Sequence, residues 1–251
     1  MDERELLKKR FLELANKSYN SGIYLFTDFL GLAEQAVFNE VRGEFRHVAY
    51  TLFGGAEGTE RVMVRFGDEE SLGYTEDFPI RCIKCEPESQ KFADKLTHRD
   101  FLGAILNLGV ERKGIGDIPI IDNVGYVFLK DDIAEFVLSE LKRVKHTDMR
   151  LTLTESLPEG ELYKLERRRI QAVGERVDAV IAKVFGISRD DSLSLFKKGL
   201  VYIDGKLCEN NSRTLKSGET VSARGHGRLI YRGYETTSKK GKLNIEVDVY
   251  V

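Results

Sequence analysis

Residues 188–206 read S-R-D-D-S-L-S-L-F-K-K-G-L-V-Y-I-D-G-K. Ser188 followed three residues later by Asp191 is a capping-box arrangement that opens a helix. Leu193, Leu195 and Phe196 supply its apolar contacts, and Gly199 stands at the C′ position, where a left-handed backbone is often needed. Val201 and Ile203 then alternate along a strand, and Asp204-Gly205 is a hairpin-turn signal. Working outward, Val177, Val180, Ile181 and Val184 form the apolar stripe of a preceding short helix that Gly186 stops. Downstream, Lys216-Ser217-Gly218-Glu219 reads as a turn before Val221.

The cations of this block fall at element ends and turns: Arg176, Arg189, Lys197, Lys198, Lys206, Arg213, Lys216, Arg224 and Arg228. Lys197 and Lys198 complement the helix dipole in a last turn, but Arg189 in a first turn gains nothing from it. Arg189 makes sense beside an anion shared with the free N–H groups of that helix end. With Ser188, these residues form a candidate polyanion-binding set.

The block resembles the S4 RNA-binding domain. Arg176-Val177-Asp178 stands where that family has Arg-Leu-Asp, and Ser188-Arg189 matches its helix start. Gly199 to Lys206 matches Gly-x-Val-x-Val-Asn-Gly-Lys, and Gly218-Glu219-x-Val221 with Arg224-Gly225-x-Gly227-Arg228 completes the run. Asp190 and Asp191 beside Arg189, and Leu193-Ser194 in place of a polar or basic pair, depart from the pattern.

Upstream, residues 1–20 predict an amphipathic helix stopped by Asn20-Ser21-Gly22. Thr27 is a candidate cap for a second helix from Asp28 to Arg42. His47–Phe53 and Arg61–Phe66 predict a hairpin around a glycine-rich loop. Strand, helix, two strands, helix and strand follow between Phe78 and Thr154, with Thr97 to Asp100 as a capping box. This is the split β-α-β-β-α-β order of RRM-like domains. Tyr126 and Phe128 alternate on one strand face, a pattern that packing explains better than base stacking. The sequence from Lys91 to Gly109 (K-F-A-D-K-L-T-H-R-D-F-L-G-A-I-L-N-L-G), continued by Val110 to Ile118, is similar to the motif of the YlmH family. That resemblance implies an RRM-like central domain joined to a C-terminal S4 domain, RNA binding, and links to cell division and ribosome-associated quality control.

The expected fold class is therefore α+β. Residues 1–74 form an N-terminal helical and hairpin subdomain of α/β type, 75–156 an RRM-like domain, 157–173 a linker around Leu157–Glu161, and 174–251 an S4 domain of αL type. His98, Arg99, Arg112 and Lys113 form a candidate second RNA contact.

The net charge of −2 conceals an asymmetry. Residues 161–251 carry 18 Lys+Arg against 12 Asp+Glu, a net of +6, while residues 1–160 carry 21 against 29, a net of −8. Only the C-terminal part favours a polyanion, and the acidic part is a candidate surface for a protein partner. No apolar run reaches a membrane span, and three cysteines with no signal-peptide pattern predict a cytoplasmic, reduced protein. Cys82 and Cys85, three apart on a strand, point to opposite faces and make a poor zinc pair. Gly114-Ile115-Gly116 follows a helix instead of opening one, so it is no dinucleotide fingerprint.

The reading is a non-catalytic RNA-binding protein with no cofactor or metal, whose partner is rRNA or tRNA and through it the ribosome. The alternative is an RNA-modifying enzyme, of pseudouridine synthase or methyltransferase type, carrying an S4 accessory domain.

Overall fold

Helix α1 spans Glu3–Ser21 in the computed structural model, which describes residues 2–155, 165–238 and 241–250. Phe11, Leu14 and Ala15 face inward, and Gly22 ends the helix at φ 63° with its N–H on the Ser18 carbonyl. The chain forms two units, Met1–Leu162 and Tyr163–Val251.

In the first unit β1 (Leu25–Phe26), α2 (Leu32–Val41), β2 (Tyr50–Phe53), β3 (Met63–Phe66) and α3 (Glu69–Leu72) follow. The sheet order is β1-β3-β2. The helix expected from Asp28 begins four residues late, because Thr27 is not its cap. The Thr27 hydroxyl accepts the Val64 N–H at 2.9 Å, and Leu30 bridges to Val62, so residues 25–30 run along β3 instead. Phe11, Phe38, Phe45 and Phe66 interlock in the core beneath, Phe11 meeting Phe38 edge-on at 5.4 Å.

The central segment contains β4 (Ile80–Pro87), α4 (His98–Asn107), β5 (Ile120–Ile121), β6 (Val124–Lys130), α5 (Asp131–Glu140), β7 (Arg143–Val144) and β8 (Thr147–Thr154). Its antiparallel sheet has the order β5-β6-β4-β8-β7, the interleaving that the split pattern requires. Asp122 and Asn123, at φ 50° and 66°, make the two-residue β5–β6 turn. Helix α5 stops at Glu140, and Arg143 and Val144 pair back onto β8.

The two faces of this sheet have different covers. Ile83, Cys85, Val127 and Leu129 pack against Phe101 and Ile105 of α4 and Ala134 and Val137 of α5. Phe128, on the other face, packs on Phe29 and Met63 of the N-terminal segment, with Cys82 at the edge. The cysteines thus diverge as their spacing dictates, and burial pushes the Cys82 thiol up to about 12. Gly116 is small for packing reasons: a Cβ there would lie 2.8 Å from Phe29 and 3.0 Å from Phe128. Arg61 ties the layers together, donating to the carbonyls of Ile115, Phe29 and Arg112 at 2.8–3.2 Å.

The second unit contains β9 (Leu165–Ala172), α6 (Val177–Phe185), α7 (Arg189–Lys197), β10 (Val201–Ile203), β11 (Lys206–Leu207), β12 (Thr220–Ala223), β13 (Gly227–Thr237) and β14 (Leu243–Tyr250). The sheet order is β11-β10-β12-β13-β14-β9. Val177, Val180, Ile181 and Phe196 from the helices pack on Val201, Val221, Leu229 and Val247 of one sheet face. The segment 157–173 is not all linker. Residues 165–172 are β9, held on β14 by Arg167–Asp248 and Arg169–Glu246 cross-strand bonds at 2.8 and 3.0 Å, while Leu157–Glu161 lies outside the described residues. Among the described residues, no helix is long and apolar enough to cross a membrane.

Candidate nucleic-acid interface

Arg176 and Asp178 flank the first residue of α6, whose opening N–H groups are taken by the loop below: Val177 donates to Arg213 O and Asp178 to Asn211 O. The Asp178 side chain is fully buried. Its carboxylate accepts Nε and Nη2 of Arg176 at 3.0 and 2.9 Å and the Ala179 N–H at 2.9 Å. Arg189, in the first turn of α7, reaches the same carboxylate at 3.7 Å with 60% of its side chain exposed. Ser192 Oγ donates to Asp178 O at 2.9 Å, locking the two helix starts together. The anion expected beside Arg189 is therefore supplied first by the protein itself. The Asp178 hydrogen bonds raise the Arg176 pKa above its ordinary value. What results is a pair of guanidiniums held at adjacent helix starts with outer edges in solvent, a geometry suited to phosphate oxygens.

Ser188 caps α7 as the spacing requires, its Oγ accepting the Asp191 N–H at 3.0 Å and donating to the Asp191 carboxylate at 2.6 Å. Lys197 and Lys198 are exposed at the other end of α7. Arg224 lies beside the turn that follows, since its N–H donates to Leu200 O, and its guanidinium sits 5.7 Å from the Tyr202 ring. Lys206 is exposed just past the Asp204-Gly205 turn. Arg213 is engaged by Glu219 at 2.7 Å and Lys216 gives its backbone N–H to the same carboxylate, so this pair closes a loop. The Lys216 side chain is exposed there.

Arg228 stands apart. Its neighbour Leu229 and the cross-strand Val221 face the helices, so Arg228, opposite Ser222, points to the other side of the sheet. There its guanidinium lies 4.3 Å from the Tyr250 ring. The predicted set is thus divided between a helix face and a sheet face.

In the first unit, Arg112 donates to Ile115 O at 2.5 Å and to Gly116 O, and burial next to Arg61 pushes its pKa down to about 10. Lys113 pairs with Glu111 at 2.6 Å. His98 keeps an exposed edge, but crowding by its neighbours and the Arg112 charge lower its pKa. Of the four predicted contacts, Arg112 is a scaffold residue, and Arg99 instead lines a depression with Lys142, Arg143 and Lys145. Those three cations are not among the expected contacts, because it is the pairing of Arg143 and Val144 with β8 that sets them beside α4. Their cluster, K-R-V-K, was the available signal. Asp178 was seen as part of a motif, but not as the group that holds two arginines.

Comparison with known proteins bears on both units. A domain family described as "Putative RNA-binding domain in YlmH" matches residues 74–157. The ribosome-associated protein quality control protein P2 of Bacillus subtilis (strain 168) is 29% identical over 226 residues, covering 87% of this chain and 84% of that protein. By these two matches the chain is similar to YlmH-type proteins. Among solved structures, the cell division protein ylmH from Streptococcus pneumoniae is similar at a TM-score of 0.48 and 21% identity, over 61% of this chain and 92% of that one.

Proposed function

We propose that this protein binds structured RNA of the ribosome or tRNA, acts on ribosome-associated complexes in the cytoplasm, and catalyses no reaction. Arg176 and Arg189, posed by Asp178, carry the reading. Two guanidiniums side by side at helix starts, stacked on a buried carboxylate, form a preset fork for neighbouring phosphates. Lys197 and Lys198 extend the basic surface toward the other end of α7, whereas Arg224, against Tyr202, lies on the sheet face that also carries Arg228. Such contacts read backbone and shape, as suits A-form RNA with its inaccessible major groove. The family match over 74–157 and the ribosomal association of the Bacillus subtilis relative support the same class of partner.

The test is binding of the full chain to purified ribosomal and transfer RNAs across a salt series, with cosedimentation on ribosomal subunits. Arg176→Ala/Arg189→Ala should weaken RNA binding by about tenfold or more and make the salt dependence shallower by about 2 in log–log slope. Unaltered affinity in that variant sinks the assignment of these residues. Base modification by the pure protein, with or without S-adenosylmethionine, would establish an enzyme instead.

A further inference from the structure

RRM-type sheets stack bases on exposed aromatic side chains. The central sheet here has no such surface available at its aromatic pair, because Phe128 is 2% and Tyr126 6% exposed. Phe29 and Met63 cover Phe128. If this domain touches RNA, it does so elsewhere.

Helix α4 and the segment from α5 through the β7–β8 hairpin enclose an open depression of ≈ 660 Å³. Arg99 comes from the first turn of α4, and Lys142, Arg143 and Lys145 come from the hairpin. Arg143 is paired with Asp148 at 2.7 Å and Lys145 with Asp100 at 3.1 Å. The Arg143–Asp148 pair is solvent-exposed on both sides, of the kind that exchanges for another anion at little cost, while Lys145 keeps its own side chain exposed although Asp100 is largely covered and held by Thr97. Arg99 and Lys142 have no carboxylate partner among the described residues. The floor includes Gly103, Ala104 and Leu108 and contains no aromatic ring.

Two residues around this depression are locally unfavourable. Gly103 sits inside α4, where glycine weakens a helix. A Cβ built on it meets nothing within 4 Å, so internal packing does not demand glycine. Lys145 has φ 54°. The other non-glycine residues with positive φ among those described are Asp122, Asn123 and Asp204, types that tolerate the left-handed region, whereas lysine does so poorly. Backbone strain of this kind collects at functional sites. A bare helix face and a lysine held in a strained turn are together what close approach of a polyanionic chain requires.

We propose that this depression binds the ribose-phosphate backbone of RNA. Arg99, Lys142, Arg143 and Lys145 contact phosphates, and the Gly103–Ala104 surface lets the backbone lie against α4. The proposal rests on the RNA-binding reading above and adds a second, sequence-independent contact surface to it.

The experiment measures fluorescence anisotropy of the full chain with an RNA duplex of about 16 base pairs and with one of its strands alone. Lys142→Ala/Lys145→Ala should raise Kd about tenfold and reduce the salt slope by about 1 to 2. Gly103→Leu changes no charge and should weaken binding comparably while raising the melting temperature. Lys145→Gly should do the same by relieving the turn. Cross-linking to bound RNA should label peptides covering 98–108 and 141–147. Affinities within about twofold of the unmodified protein in all three variants, or cross-links confined to other peptides, overturn the proposal. If Arg176→Ala/Arg189→Ala weakens binding while these variants do not, RNA binding stands and the depression serves some other partner. If the unmodified chain binds neither probe, both readings fail.

Discussion

At Asp178 a carboxylate cut off from water is tolerated because three donors surround it, two from Arg176 and one from the Ala179 N–H. Asp178→Asn keeps the shape but leaves two neighbouring guanidiniums without their common counter-charge. It should cost about 1–3 kcal/mol in urea unfolding and also weaken RNA binding, although Asp178 itself faces inward. Arg189→Ala should weaken RNA binding with stability changed by no more than about 0.5 kcal/mol, as for an exposed side chain. The opposite ranking, stability lost and binding kept, would make Arg189 a structural residue. Asp248 tests a second carboxylate. Its hydrogen bonds from Arg167, then Arg232, hold its pKa below the ordinary 3.8. A carboxyl depressed in the folded state contributes stability that is complete above the unfolded pKa of about 3.9 and is lost as pH falls through the folded value. Asp248→Asn should therefore be less stable than the unmodified chain at neutral pH, and the gap should close below about pH 4. A gap that stays constant down to acid unfolding would show that the pair carries no net linkage.

Elements defined by their own residues were legible. Gly22, Gly186 and Gly199 sit at positive φ just past helix ends, and the caps at Thr97 and Ser188 and the turns at Asp122-Asn123 and Asp204-Gly205 form where the residues place them. Elements defined by a distant partner were not. Strand β9 reads as a charged run until Arg167 and Arg169 are set opposite Asp248 and Glu246, about 80 positions later, with the same two-residue period. Thr27 looks like a cap, yet its hydroxyl serves Val64 across the sheet. The candidate site divides in the same way: Arg189 could be picked out from its place in a helix, but the Asp178 contact and the sheet that separates Arg228 from it come from tertiary packing. Two glycines make the distinction testable. Gly116→Ala puts a methyl against Phe29 and Phe128 between two packed layers. It should destabilise by about 1–3 kcal/mol. Gly103→Ala meets open space in α4 and should stabilise by about 0.5–1 kcal/mol. Equal effects in thermal or urea unfolding would mean that Phe29 and Phe128 yield without cost.

For the whole chain, a net charge of −2 is compatible with RNA binding because the two signs are segregated, +6 over residues 161–251 against −8 over 1–160. Salt then acts in opposite directions. Raising it weakens the phosphate contacts through lost counterion release, for about four contacts giving a slope near −3 to −4. It also screens repulsion between RNA and the acidic portion, over a Debye length of about 10 Å at 0.1 M. The observed slope is the difference, so it understates the number of contacts. Glu69, Glu70 and Glu76 are exposed and make no ion pair among the described residues, which lets them be neutralised without disturbing the fold. Changing all three to glutamine should tighten RNA binding at low salt and leave it unchanged above about 0.3 M, where the Debye length falls to about 6 Å. The slope becomes steeper although no contact has been added. Uniform tightening at every salt concentration would instead mean that these glutamates lie against the bound RNA.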